Sequence, residues 1–371
     1  MILQNDFKQR WQVIEKNVLA TVQRVGASGW YILGEEVESF EVALTRSWGV
    51  RHAVGVGNGM DALEIGLRCL ALQPGGKVLT TPLSAFATTL AIVRAGGVPV
   101  FVDVDALGRI NLVQCRKLLQ QDPSIRFFVP VHLFGFALDM DELARLKADF
   151  ELSIVEDCAQ AIGASDRGIS VGTAGQICAT SFYPTKNLGA LGDGGALLTN
   201  NDQLATTAKA LRNYGQSSLY VHAEIGLNSR LDEIQAAILK SVLLPRLETW
   251  TEARRKTAQA YLAGIRHPLI RILLPDSGMR PVWHLFPVVI AERMRDNLRE
   301  HLRAAGILTG VHYPHIIPDQ VALAKHGRYE VAIEPVNARE FARSELSLPI
   351  HPFLKNEEID AVIDACNAWK P

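Results

Sequence analysis

Three short segments of this chain combine side chains whose types and spacing could do chemistry. In Gly55-Val56-Gly57-Asn58-Gly59-Met60-Asp61-Ala62-Leu63 an apolar run gives way to a helical pattern. Free backbone N–H groups at such a helix start can hold an anion such as a phosphate. The segment is not a dinucleotide fingerprint: Met60 stands where the third glycine belongs, and residues 78–89 offer no acidic side chain for a ribose. A tight turn without a ligand is the alternative. In Ile154-Val155-Glu156-Asp157-Cys158-Ala159-Gln160 a carboxylate ends an apolar strand, where α/β sheets bind ligands and where it could pair with a protonated heterocycle nitrogen. Helix capping by Glu156 or Asp157 is the competing role. The third segment, from Ser181 through Lys186 to Gly189 and on to Gly195, sets a lysine in a Gly-, Pro- and Thr-rich turn between two apolar strands. Beside a bound cation its pKa would fall, leaving a free amine able to form a Schiff base. A lone lysine is otherwise a solvated one.

Taken together, a phosphate cup, an acid at a strand end and a lysine 29 positions beyond Asp157 are the three anchors that pyridoxal phosphate (PLP) needs. One holds the phosphate, one keeps the ring nitrogen protonated, and one bonds to the aldehyde carbon.

The elements that must position these groups alternate. Buried-strand patterns at residues 52–56, 77–80, 98–102, 127–130, 153–155, 177–182 and 195–198 are separated by helix patterns such as 60–70, 88–94 and 140–148. This predicts a largely parallel α/β sheet. Ahead of it lie a helix with Val13, Ile14, Val18, Leu19 and Val22 at helical spacing, a Gly-rich break and a second helix over 35–48. A long charged helix is expected over 231–263. After it come a strand pattern within 281–290, helices over 296–305 and 357–369, and hence a smaller α/β domain, with the division placed at 1–245 and 246–371. Residues 105–110 read as a turn.

The 371 residues suffice for two such domains. A net charge of −1 gives no bulk attraction to nucleic acid or an anionic membrane. Five scattered cysteines without a C-x-x-C pair argue against disulfides and zinc. The polar first ten residues are not read as a signal peptide, and no apolar run approaches the ~20 residues that span a bilayer. A cytoplasmic protein is expected.

The segments GNGMDAL, VPVFVDVD, PVHLFG, VEDCAQAIGA, SFYPTKNLGALGDGGA, GLNSRLDEIQAAIL, GVHYP and LSLPIHPFL resemble, in order and along nearly the whole chain, the sugar aminotransferases of the DegT/DnrJ/EryC1/StrS family. That resemblance implies the aspartate aminotransferase fold, with a mostly parallel seven-stranded sheet in the large domain. It implies PLP bound covalently by Lys186, which also shuttles a proton. Asp157 would pair with the ring nitrogen, Gln160 would hydrogen-bond the phenolic oxygen, and Phe86 would stack on the ring face, its alternative being a core aromatic. Gly59 and Met60 backbone groups and the Ser181 hydroxyl would hold the phosphate. Asn228 resembles an asparagine that reaches the neighbouring subunit's phosphate, implying a homodimer with shared sites; Arg230 either joins it or makes a structural ion pair. Tyr183, His312 and Tyr313 are candidates to contact the sugar. Relatives often have Thr or Ser at position 60 and His at 162, where this chain has Met60 and Ile162. A subset of the family removes a hydroxyl, with histidine in place of the lysine; Lys186 favours transamination instead. The resemblance is strongest to members that aminate carbon 3 of a nucleotide-linked, usually dTDP-linked, 3-keto-6-deoxyhexose with glutamate as donor, for surface polysaccharide or antibiotic sugars. Carbon 4 amination is the alternative, and a PLP dehydratase or PLP-binding regulator a more distant one. His312 and His315 have metal-like spacing but bracket Pro314, so no metal is expected, and His351 is read as structural.

Overall fold

The computed structural model describes residues 1–290 and 292–371. Its central sheet contains β1 (His52–Val56), β2 (Lys77–Thr80), β3 (Val98–Phe101), β4 (Phe127–Val129), β5 (Ser153–Asp157), β6 (Ile177–Ser181) and β7 (Gly195–Thr199). In space the order is β1-β7-β6-β5-β4-β2-β3, and the expected seven strands gain an eighth, Glu330–Val331, parallel to β3. The run β6-β5-β4-β2-β3 is parallel, and β7 is antiparallel to both its neighbours. Near-continuous burial along these strands follows from helices covering both faces.

The helices are α1 (Phe7–Ser28), α2 (Glu35–Trp48), α3 (Gly59–Cys69), α4 (Phe86–Arg94), α5 (Leu112–Gln121), α6 (Met140–Asp149) and α7 (Asp202–Leu211). In α1, Ile14, Val18 and Val25 are buried, whereas Val13, Leu19 and Val22 are exposed. The turn at 105–110 is closed by Asp105, whose Oδ1 accepts from the N–H groups of Leu107 and Arg109 at 2.8 and 3.0 Å.

The single long helix expected over 231–263 is broken into α8 (Glu233–Ile238), a π turn (Leu239–Leu243), a 3-10 turn (Leu244–Arg246) and α9 (Leu247–Gly264). Pro245 has no N–H to donate and its ring crowds the carbonyl one turn back, so the regular ladder cannot run through it. Beyond α9, Arg271–Ile272, Phe286–Val289 and Glu345–Leu348 form a three-stranded antiparallel sheet. It packs with α10 (Glu292–Ala304), α12 (Val336–Ser344) and α13 (Asn356–Ala368), whereas Leu323 of α11 (Val321–His326) packs against Phe101 of β3. Tyr261, Phe286, Leu298, Val362 and Trp369 fill its core, together with Phe134 and Phe136 from the loop after β4. Among the described residues all five cysteines are free, and no helix is long and apolar enough to cross a membrane.

Candidate active site

From β2 the chain goes to β3 on one side and then crosses back to β4 on the other, and at this switch point the carboxyl ends of the strands open into a cavity of about 490 Å³. Strand alternation decides between the two acids that end β5. Glu156 points away from the cavity and is fully buried. It accepts from His132 Nε2 at 2.9 Å and from the N–H groups of Gly172 and Gly175 at 2.9 and 2.6 Å. His132 Nδ1 accepts from Leu138 N, so the imidazole proton belongs on Nε2. Asp157 faces the cavity, accepting from Thr88 Oγ1 at 2.8 Å and Ala159 N at 3.1 Å. Burial raises its pKa despite these donors and the nearby Lys186 and His132. A cation held beside it would recover that cost.

Across the cavity, Asn58 caps α3 by accepting from Asp61 N at 2.9 Å. Helix geometry leaves the Gly59 and Met60 N–H groups without acceptors in the preceding turn, and both residues line the cavity with Ser181. The close approach needs glycine. A Cβ on Gly59 would sit 2.6 Å from Ser181 Cβ, and one on Gly195 would sit 2.5 Å from the Asn58 carbonyl carbon and 2.7 Å from Gly59 N. These glycines open a cradle at the helix start that suits a phosphate. Gly195→Ala is expected to push the start of α3 outward, costing ~1–3 kcal/mol of stability. Denaturant unfolding would read the loss, and equilibrium dialysis of PLP would read the weaker binding that goes with it.

Lys186 sits in a turn after β6, its N–H donating to Tyr183 O at 2.8 Å. Arg10 of α1 braces this turn from behind, Nη1 donating to Pro184 O at 2.9 Å and Nη2 to Gly189 O. Burial lowers the Lys186 pKa to about 8, the Asp157 carboxylate holding it up against a further fall.

A hydrogen-bonded chain forms the opposite wall. Phe134 N donates to Gln160 Oε1 at 2.8 Å, which orients the amide so that Nε2 donates to Tyr313 OH at 3.1 Å. His312 Nδ1 lies 2.9 Å from Ser347 Oγ, which donates to buried Glu345 Oε1 at 2.5 Å, while His312 N donates to Glu345 Oε2 at 2.5 Å. Burial lowers His312 to about 4, so it is neutral at pH 7. Burial raises Glu345 to about 8, even with the Ser347 and His312 donors pulling it down. Between its unfolded value of roughly 4.3 and about 8 the folded state therefore binds more protons at Glu345, and stability falls as pH rises. Glu345→Gln is expected to flatten this slope, at most ~1.4 kcal/mol per pH unit, in urea unfolding between pH 5.5 and 8.

Of the residues singled out from the sequence, Gly59, Met60, Asp157, Gln160, Ser181, Tyr183, Lys186, His312 and Tyr313 meet on this one cavity. Phe86 does not line it. Half-buried, it packs in part against Phe101, Ile317 and Leu323, and its neighbours Ala85, Ala87 and Thr88 line the wall. Asn228 is exposed and Arg230 lies outside the cavity. Arg230 donates to Asn213 Oδ1 at 3.0 Å and its guanidinium lies 5.2 Å from the Tyr214 ring centroid, so its structural role is a hydrogen bond and ring contact rather than an ion pair. His315 is exposed. Among the described residues one donor group, His132, Glu156 and Cys158, is compact enough for a metal, but its histidine and carboxylate already satisfy each other. His351 is structural, accepting from Phe353 N at 3.3 Å.

Sequence reasoning missed Gln4, Asn5, Thr88, Asp193 and His284, all on the cavity wall. Thr88 follows from Asp157 only once β5 and α4 are adjacent in space. His284 carries no signal beyond a histidine inside an apolar run. Its Nδ1 lies 3.2 Å from Asn187 Oδ1, and burial beside Lys186 holds its pKa well below the usual range.

Comparison with known proteins matches this architecture. The model of the DegT/DnrJ/EryC1/StrS aminotransferase family covers residues 12–367. The chain is 41% identical over 366 residues to the dTDP-3-amino-3,4,6-trideoxy-alpha-D-glucose transaminase of Streptomyces venezuelae, covering 98% of this chain and 95% of that one. It is 36% identical to a "pleiotropic regulatory protein" of Geobacillus stearothermophilus, over 97% and 96% of the two chains. A crystal structure of S. venezuelae DesV in complex with a ketimine intermediate superposes with a TM-score of 0.94 at 40% identity, covering 99% and 98% of the chains. With its lysine, acid and phosphate cradle on one cavity, this chain belongs to the DegT/DnrJ/EryC1/StrS aminotransferase family.

Proposed function

We propose that this protein is a PLP-dependent aminotransferase that converts a nucleotide-linked 3-keto-6-deoxyhexose, carried by dTDP, to the 3-amino sugar, with glutamate as donor. The carrying observation is the meeting of Lys186, Asp157, Gln160 and the α3 start on one cavity of about 490 Å³, large enough for a cofactor and part of a sugar. The residues fit PLP: a glycine-lined cradle for the phosphate, and a buried acid whose raised pKa a cationic ring nitrogen would relieve. When bound, PLP supplies an aldehyde for covalent capture of amines and an electron-poor ring.

Around it the chain's own groups divide the work. Gly59 and Met60 N–H groups and the Ser181 hydroxyl bind the phosphate. Asp157 holds the ring-nitrogen proton, oriented by Thr88. Gln160 Nε2 donates to the phenolic oxygen. The Lys186 amine takes and returns the proton at the reacting carbon. Tyr183, His312 and Tyr313 contact the sugar, with His312 presenting a neutral ring. The division at 1–245 and 246–371 places the Lys186 turn in one body and His312 and Tyr313 in the other. A homodimer is part of the same reading: the exposed side chains of Val13, Leu19, Val22, Trp30, Tyr31, Leu219 and Tyr220 offer apolar surface, and exposed Asn228 can reach a neighbour's phosphate.

The carbon 3 assignment rests on similarity to the S. venezuelae dTDP-sugar transaminase. The test is a product assay with dTDP-linked 3-keto and 4-keto deoxyhexoses, locating the new amine by NMR. An amine at carbon 3 is expected; an amine at carbon 4 alone would overturn the assignment. A purely regulatory role, the class named for the G. stearothermophilus relative, is disfavoured because Lys186 and the sugar-contact candidates remain together on the cavity.

A further inference from the structure

Beside the Lys186 turn, sharing Asn5, Thr185 and Lys186 with the catalytic cavity, lies a second, much smaller cavity of about 30 Å³. Asn5, Asp6 and Arg10 line it from the chain's start and α1, Thr251 and Arg254 from one face of α9, and Lys186 borders both cavities. Arg10 and Arg254 are 7% and 5% exposed, yet among the described residues neither has a carboxylate within ion-pair distance. Other buried arginines do: Arg212 pairs with Glu41 at 2.5 Å, and Arg109 with Asp105 at 2.8 Å. A buried charge without a counter-charge is costly, since low dielectric disfavours it whatever hydrogen bonds it makes.

What surrounds the two guanidinium groups does not neutralise them. Arg254 Nη1 donates to the carbonyls of Trp283, His284 and Ile350, and Arg10 donates to those of Pro184 and Gly189. Arg10 Nε is buried with no acceptor at all. Asp6 is the one acid on the wall, and its carboxylate caps α1 by accepting from Gln9 N at 2.8 Å. His351 is neutral, lowered to about 4 by burial and then by Arg254. Burial lowers both arginines to about 10, and the charge of Arg10 adds to the lowering at Arg254.

We propose that this cavity is a binding site for one small monovalent anion of chloride size, held between Arg10 and Arg254. Its volume admits one or two water-sized spheres and excludes glutamate or a sugar phosphate. A halide there supplies the missing negative charge, gives Arg10 Nε an acceptor, and has the Thr251 hydroxyl and Asn5 amide as further donors. Because Arg10 also holds Pro184 O and Gly189 O, the anion would fix the two ends of the turn that carries Lys186.

The test uses PLP-loaded protein exchanged from chloride into gluconate at equal ionic strength, and crystals of the same protein soaked in bromide. Expected are an anomalous bromide peak between Arg10 and Arg254 and a Tm about 2 °C higher in chloride than in gluconate, as preferential binding to the folded state requires. In Arg10→Met the chloride increment should vanish. Absence of bromide from this cavity, or equal Tm in the two salts, overturns the proposal, and neither measurement depends on the variant folding.

Discussion

Lys186→Ala is expected to lower turnover by ~10⁴-fold or more, because in the proposed reaction the side chain would serve both as nucleophile and as the group that moves the proton. Burial already brings its pKa to about 8. At pH 7 roughly one lysine in ten then carries a free amine, against fewer than about one in a thousand for an ordinary lysine near 10.4. Capture of PLP by the cofactor-free protein should therefore rise with pH through a midpoint near 8. The variant should bind PLP only reversibly, lack the absorption band near the visible edge expected of the PLP-loaded native protein, and give no spectral response to glutamate through the lysine. A variant with native spectra and rates would remove Lys186 from its assigned role.

Asp157→Asn should leave the cavity's shape nearly unchanged while removing its buried negative charge. A loss on the order of 10²–10³-fold in turnover is expected, the scale seen when one preorganised electrostatic group is deleted from an active site. The sign of a second effect is also set. The Asp157 carboxylate holds the Lys186 pKa up, so without it the midpoint for PLP capture should move below that of the native protein. A drop in rate with an unmoved midpoint would mean the two groups are not coupled as their burial implies. Thr88→Val should show a weaker version of the rate loss, since it removes one donor to Asp157 and not the charge.

Much of this site is legible in the sequence, for identifiable reasons. The seven central strands stand out because burial on both faces produces uninterrupted apolar runs. The Gly57–Gly59 turn and the Gly- and Pro-rich surroundings of Lys186 stand out because backbone close approach leaves few alternatives. Which of Glu156 and Asp157 faces the cavity is not legible from the strand pattern, because it depends on which sheet face the last residue of β5 meets; the assignment of Asp157 comes from the family resemblance. The side on which the Phe86 ring lies is not legible for the same reason. A helix start between Ala85 and Ala87 can turn its aromatic either way, and the pocket formed by Phe101, Ile317 and Leu323 exists only after residues more than 200 positions later have folded onto it. The break in the long helix at Pro245 could have been anticipated from proline chemistry alone.

Arg10 grips the two ends of the Lys186 turn from 174 and 179 residues away in the chain. The same cavity draws wall residues from Gln4 to Tyr313. No contiguous fragment holds the set, and contacts of such long sequence separation form slowly and late. On refolding from denaturant, helical circular dichroism should therefore return before competence to bind PLP covalently. The colour of the bound cofactor would serve as a clock for the last step of folding rather than for collapse.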